Sequence, residues 1–260
     1  MRRAITLVPV LTAYTIASAQ TPAVNFTQVA GGFRDNNARV LGWDFTVGEL
    51  PIEITALGVY DADQNGLAVV HDVAIYEVDT MNSVIGATVN SGPGGAPLVG
   101  FFRYSGTLSV QLPPHTSYII AASWPGTADE FIWHVPFPNV PAHPLDIDIT
   151  EDIERGIQGA PGIAWFECCT TSALQFPTQV LDPTDIRNIW LGPNFLYRLV
   201  RPCNAADVAL PFELVDLADI DAFIAAFVAG EDLADIAAPM GVVDLADIDA
   251  FISAFLAGCP

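Results

Sequence analysis

Hydrophobic and polar positions follow one rhythm through most of this chain and another at its end. From about Asn25 to Val200 the apolar residues come in short runs. Ile52–Tyr60 (IEITALGVY) alternates loosely and stops at the turn Asp61-Ala62-Asp63-Gln64-Asn65-Gly66. Val69–Val78 is the next predicted strand. Ser105–Leu112 alternates well, Ser117–Trp124 reads as a buried strand, and Asn188–Val200 as the last one. Breaks such as Ser91-Gly92-Pro93-Gly94-Gly95 and Leu112-Pro113-Pro114 separate them. Many short strands with frequent Gly/Pro turns predict a mainly β domain over 20–201, a β-sandwich with a jelly-roll-like course. No segment between the strands keeps a long helical period.

In the last quarter the period becomes helical, and it does so twice. Ala206–Gly230 and Ala234–Gly258 are offset by 28 residues and identical at 18 of 25 aligned positions, a tandem duplication of one loop–helix unit. In the first copy Ile220, Phe223, Ile224 and Phe227 fall on one helix face, and Ile248, Phe251, Ile252 and Phe255 repeat it in the second. Asp216 or Asp219, and Asp244 or Asp247, stand where a helix start wants a carboxylate. Gly230 and Gly258 stand where a helix stops. A helix of about 12 residues cannot bury such a stripe alone, but two copies facing each other can. A small α-helical module over 203–260 therefore follows the β domain.

The N-terminus adds a location. Met1-Arg2-Arg3, the apolar run Ala4–Ile16 and the small residues Ala17-Ser18-Ala19 read as a signal peptide over 1–19. The expected protein is exported, extracellular or attached to the cell surface. No later segment reaches about 18 uninterrupted apolar residues, so no membrane span is expected. Export permits disulfides. Cys203 and Cys259 bracket the repeats, and a bond between them closes a loop worth roughly 4 kcal/mol by chain entropy. Cys168 and Cys169 are adjacent, and their pairing is open.

Charge narrows the partners. The chain has 30 acidic residues against 9 basic ones, a net charge of −21, with 52% hydrophobic residues. All nine bases are arginine. A surface this negative repels nucleic acid and anionic membranes, and it favours cations, cationic partners or solubility in saline water. Asp61, Asp63 and Asn65, with Gly66 at the turn and Asp72 at the twelfth position, match the spacing of a calcium loop. Their strand flanks favour an ordinary hairpin turn. His71 sits in mid-strand, where a structural histidine is expected. The acidic run Asp146–Glu154 suits a strand with one solvated face, or a carboxylate pair of a glycoside hydrolase. Trp124, Trp133 and Trp165 suit a core, or a platform stacking on sugar rings. No nucleophile elbow, phosphate loop or dinucleotide fingerprint is present, and no enzymatic activity is expected.

Two resemblances extend this. Gly42–Val47 (GWDFTV), Ile54–Tyr76 and Gly192–Tyr197 (GPNFLY) resemble a family of bacterial secreted β-sandwich domains without an established activity. Such a likeness implies a fold and little else. Cys203–Pro260, with the paired DLADIDAF helices and the terminal Gly-Cys-Pro, resembles dockerins, and more narrowly the GC-type dockerin-like anchor domain of planctomycete and related secreted proteins. That implies calcium as a cofactor and attachment to a protein partner, either cohesin-like or an envelope component. Dockerin-like tails often accompany polysaccharide-processing proteins, so a carbohydrate-binding sandwich with polysaccharide as a partner is the alternative. The calcium ligands implied are Asp207, Asp216 and Asp219, and Asp235, Asp244 and Asp247. The pattern departs from the family at the inner ligand places, which hold Ala209 and Pro211, or Ala237 and Pro239, in loops one residue longer. The eight apolar residues of the two helix faces are the expected docking surface.

Overall fold

The computed structural model describes residues 20–26, 32–33, 38–126, 129–134, 147–149, 153–155, 164–168, 173–180 and 189–259. They are mainly β, with two helices at the C-terminal end. Two larger antiparallel sheets carry the fold. The first is centred on Ile52–Tyr60, which pairs with Pro193–Leu199 on one side and with Phe102–Tyr104 and Val110–Leu112 on the other. The second is centred on Ala38–Val47, with Ser117–Pro125, His71–Glu77 and Ser83–Val89 following on one side and Ala164–Cys168 on the other. A three-stranded sheet joins Ile189–Leu191, Phe131–His134 and Gly32–Phe33, and Ile147–Ile149 pairs with Val24–Phe26.

The position of a strand explains its pattern. Every residue of Ile52–Tyr60 is buried, so both its faces are covered and strict alternation is lost. Ser117–Pro125 is likewise buried along nearly its whole length. Ser83–Val89, which lies at the sheet edge and was not anticipated, mixes exposed and buried positions. The expected strand Val69–Val78 begins at His71 and ends at Glu77. Of Ser105–Leu112 only Val110–Leu112 pairs as a strand. The expected final strand divides at Gly192 into Ile189–Leu191 and Pro193–Leu199, which belong to different sheets.

The two large sheets share one aromatic core. Phe195 of the first reaches Trp43 and Phe45 of the second, at ring separations of 5.8 and 4.9 Å, and Phe45 continues to Tyr118 at 5.6 Å. Contacts of this kind contribute beyond the area they bury. The GPNF run sits at this junction. Gly192 lies under Trp124, and a Cβ there would come within 2.4 Å of the indole. The Pro193 carbonyl accepts from Trp43 Nε1 at 2.9 Å. The fully buried Asn194 side chain behaves like a short strand. Its Oδ1 accepts from the backbone N–H of Val24 and Phe195, while Nδ2 donates to the Val24 carbonyl and the Tyr104 hydroxyl.

The C-terminal repeats form two 13-residue helices, α1 (Leu217–Ala229) and α2 (Leu245–Ala257), linked through a short 3₁₀ turn at Asp232–Ala234. The first repeat also touches the β region. Gln111 pairs its side-chain amide with the backbone N–H and C=O of Phe212, and Arg198 binds both Glu53 and Glu213.

Replacing Asn194 by Ala leaves buried backbone groups of Val24 without partners. The expected outcome is a loss of about 3 kcal/mol in urea unfolding. A loss below about 1 kcal/mol would show that the bridge is dispensable.

Candidate functional site

The two repeats build their loops with the same carboxylate geometry. Asp216 is the N-cap of α1, accepting from Ala218 N–H at 2.7 Å, and Asp219 completes a reciprocal capping box. Asp219 does more than cap. Its Oδ1 accepts from the N–H of Val208 and Ala209, both at 2.8 Å, and its Oδ2 from Asp216 N–H at 2.8 Å. One buried carboxylate thus ties the start of the loop to the start of the helix. Asp247 repeats this with Ile236, Ala237 and Asp244 at 2.9, 2.7 and 2.8 Å. These backbone hydrogen bonds hold the Asp247 carboxyl below the usual carboxylate range. Asp207 takes the N–H of Cys203 and Glu213, and Asp235 that of Gly241.

The oxygens that the resemblance assigns to calcium are therefore largely occupied by N–H donors. Asp207 and Asp235 each keep one buried oxygen, Oδ1, without a partner. Those are the atoms a cation would have to use. A calcium ion takes about six to eight oxygens, and Ala209, Pro211, Ala237 and Pro239 bring no side-chain oxygen. The residues present do not make a calcium cradle. Among the described residues, the one place where three Asp, Glu, His or Cys ligand atoms lie within 4.8 Å of each other is Cys203, Asp207 and Cys259. Both sulfurs there are joined in a disulfide, with the Cα atoms 5.5 Å apart. Beside that disulfide, Asn204 Nδ2 donates to the carbonyls of Ala254 and Gly258, so the start of the first repeat caps the end of the second.

The helix faces come together. The equivalent residues Phe223 and Phe251 stack at 4.1 Å with an interplanar angle of 15°, and both are buried. Phe227 and Phe255 continue the contact outward at 6.0 and 5.9 Å. All eight residues of the expected docking surface, with Leu256, line an apolar groove of about 290 Å³ between α1 and α2. The two helices do not close it. Ile224 is 54% exposed and Ile252 49%. Pairing the copies buries only the phenylalanine side of each stripe.

The other candidates are placed elsewhere. Asp61 is buried, and its partner is Arg103, whose Nε donates to Asp61 Oδ2 at 2.7 Å. The same guanidinium donates to the carbonyls of Gln64, Pro93 and Ala96. Within this loop its donors meet the Asp61 carboxylate and the Gln64 carbonyl. Gly66, at φ +112°, closes the turn where a Cβ would strike the Pro93 backbone. Asp63 accepts from Asn65, while Asp72 lies on the next strand and accepts from Thr88. Arg103 is not among the candidates that spacing suggests, although a lone cation inside the apolar run Phe101–Tyr104 is a signal of a buried ion pair.

His71 is fully buried, with Nδ1 2.7 Å from the Ser123 carbonyl and Nε2 3.1 Å from Asp129. Asp129 also accepts from the N–H of Ala68 and Val69. Burial alone would raise the Asp129 pKa. The His71 hydrogen bond and then the two backbone donors outweigh it and hold that pKa below the ordinary value. Trp124 is buried against His71 and Phe131. The side chains of Trp133 and Trp165 and the carboxylates of the acidic run Asp146–Glu154 lie outside the described residues, as does the pairing of Cys168 and Cys169. Compared with protein-family models and with curated proteins, the chain matches none.

Two outcomes follow from these bonds. A depressed Asp129 pKa contributes stability that is present above the usual carboxylate range and lost as pH falls through the folded value. Urea midpoints should therefore drop on acidification, and Asp129→Asn should lower stability at neutral pH by about 3 kcal/mol while flattening that drop. An unchanged pH profile in the variant would count against the lock. In the repeats, Asp219→Ala should cost more than Asp216→Ala, which removes one cap bond of about 1 kcal/mol. Excess EDTA should leave the thermal melt of the full chain unchanged, and reduction of Cys203–Cys259 should lower it. A melt that falls with EDTA alone would restore the metal.

Proposed function

We propose that this is an exported, non-catalytic protein in which a jelly-roll-like β-sandwich is held to another protein or to the cell envelope by a C-terminal, dockerin-like module spanning 203–260. The observation that carries this reading is the groove between α1 and α2, lined by equivalent residues of both repeats and left open to solvent. Soluble proteins bury an apolar face of this kind or use it. The bonds around it support the same reading. The capping boxes, the loop-closing carboxylates and the Cys203–Cys259 disulfide hold the two helices so that the face is presented rather than collapsed. Among the described residues no helix is long and apolar enough to cross a membrane.

Four of the candidate residues in the β region serve its framework. His71, Asp61, Trp124 and Asn194 are all buried in structural bonds. Deleting 203–260 should move the protein from the cell-associated fraction into the medium. The remaining β region should keep its cooperative unfolding, because its core lies within 20–201. A truncated chain that stays cell-associated while folded would overturn the anchoring role.

A further inference from the structure

The groove has a border that says what can cover it. On α1, Leu217, Asp221, Ile224 and Val228 fall at i, i+4, i+7 and i+11, a single line along the helix. On α2, Leu245, Asp249, Ile252 and Leu256 form the equivalent line. Leu217, Val228, Leu245 and Leu256 are each at least three-quarters exposed. Ile224, Ile252 and Leu256 also line the groove, so stripes and groove form one continuous surface. Each stripe is apolar except for one exposed aspartate, at the same place in both copies. These two aspartates take no part in the caps, which use Asp216, Asp219, Asp244 and Asp247.

A partner that covers the stripes must desolvate Asp221 and Asp249. An unpaired buried carboxylate is strongly unfavourable, so the partner has to bring cations to those two points. The surroundings point the same way. Segment 203–260 holds eleven acidic residues and no Arg, Lys or His, so the module cannot supply the cations itself. A second copy would bring aspartates to aspartates on a chain of net charge −21, and an anionic membrane would do the same. An apolar groove between two helices is the kind of surface into which an amphipathic helix lays its apolar face.

Resting on the docking reading above, we propose that the occupant of this face is an amphipathic helix of a partner protein, with an apolar stripe flanked by Lys or Arg residues that meet Asp221 and Asp249. The apolar stripe supplies contact area in the groove. The basic flanks set orientation and exclude acidic or self-complementary competitors.

The test uses the full mature chain and two synthetic helical peptides of about 18 residues, long enough to hold a helix when bound. Both carry leucine on one face, with lysine on the other in the first and glutamate in the second. Titration at low salt should give saturable binding of the lysine peptide, at least about tenfold tighter than the glutamate peptide. Asp221→Lys with Asp249→Lys should reverse that order. Ile224→Ser with Ile252→Ser should abolish both interactions, and circular dichroism melts should show that the helices of each variant persist. Equal affinity for the two peptides, or no reversal in the lysine variant, overturns the basic partner while leaving docking intact. Sedimentation of the free chain as a dimer whose dissociation follows Ile224→Ser and Ile252→Ser overturns it in favour of a second copy. Absence of binding to either peptide overturns the helical partner, and the cell association of the chain lacking 203–260 then decides separately whether docking stands.

Discussion

A loop that turns inside a folded chain leaves N–H and C=O groups that neither a ladder nor a helix can use, and each must still find a partner. In this protein a few buried polar side chains meet that demand. Asp219 and Asp247 each gather three backbone N–H groups and close a repeat loop onto its helix. Asp129 holds the Ala68–Val69 backbone against His71. Arg103 collects three loop carbonyls around Asp61. Asn194 stands in for a missing piece of strand at Val24. Residues that looked like candidate chemistry are mostly committed to this work.

The same constraint explains how the C-terminal helices come to present an apolar face. Two helices of 13 residues have little core of their own. Their shared contact is essentially the Phe223–Phe251 stack and its neighbours. The caps, the carboxylate-closed loops and one disulfide supply the rest of the rigidity, so the outer half of each stripe is not needed inside. It stays exposed on a module that carries eleven acidic residues and no basic ones. On one side the module is tied to the β region through Gln111–Phe212 and Arg198–Glu213. The hydrogen bonds from Arg198, and then its charge, hold the Glu213 carboxyl below its ordinary pKa against the opposing effect of burial. The corresponding loop of the second repeat, around Met240, remains exposed.

Much of this was legible in the sequence because it is local. The 28-residue repeat, the helix faces, the four capping aspartates and the stop glycines follow from spacing along a helix, and Ile52–Tyr60 and Ser117–Trp124 from apolar runs between turns. The division of the last strand at Gly192 was not legible, because it depends on where the Trp124 indole lies. Nor was the role of Arg103, since the residues it binds are scattered from Asp61 to Ala96. Equally, no spacing rule tells whether an aspartate in an acidic loop faces a metal or the backbone of its own chain.

The amino-acid sequence alone determined the duplication, the amphipathic period and the excess of negative charge, because those are properties of order and composition. Tertiary structure decided which half of each apolar stripe is buried and which is left out, and to what use each carboxylate is put. Those outcomes depend on tertiary contacts: the stacking of Phe223 on Phe251 exists only once both repeats have folded together, and the bonds of Asp219 and Asp247 to N–H groups ten and eleven residues earlier exist only once each loop has closed onto its helix.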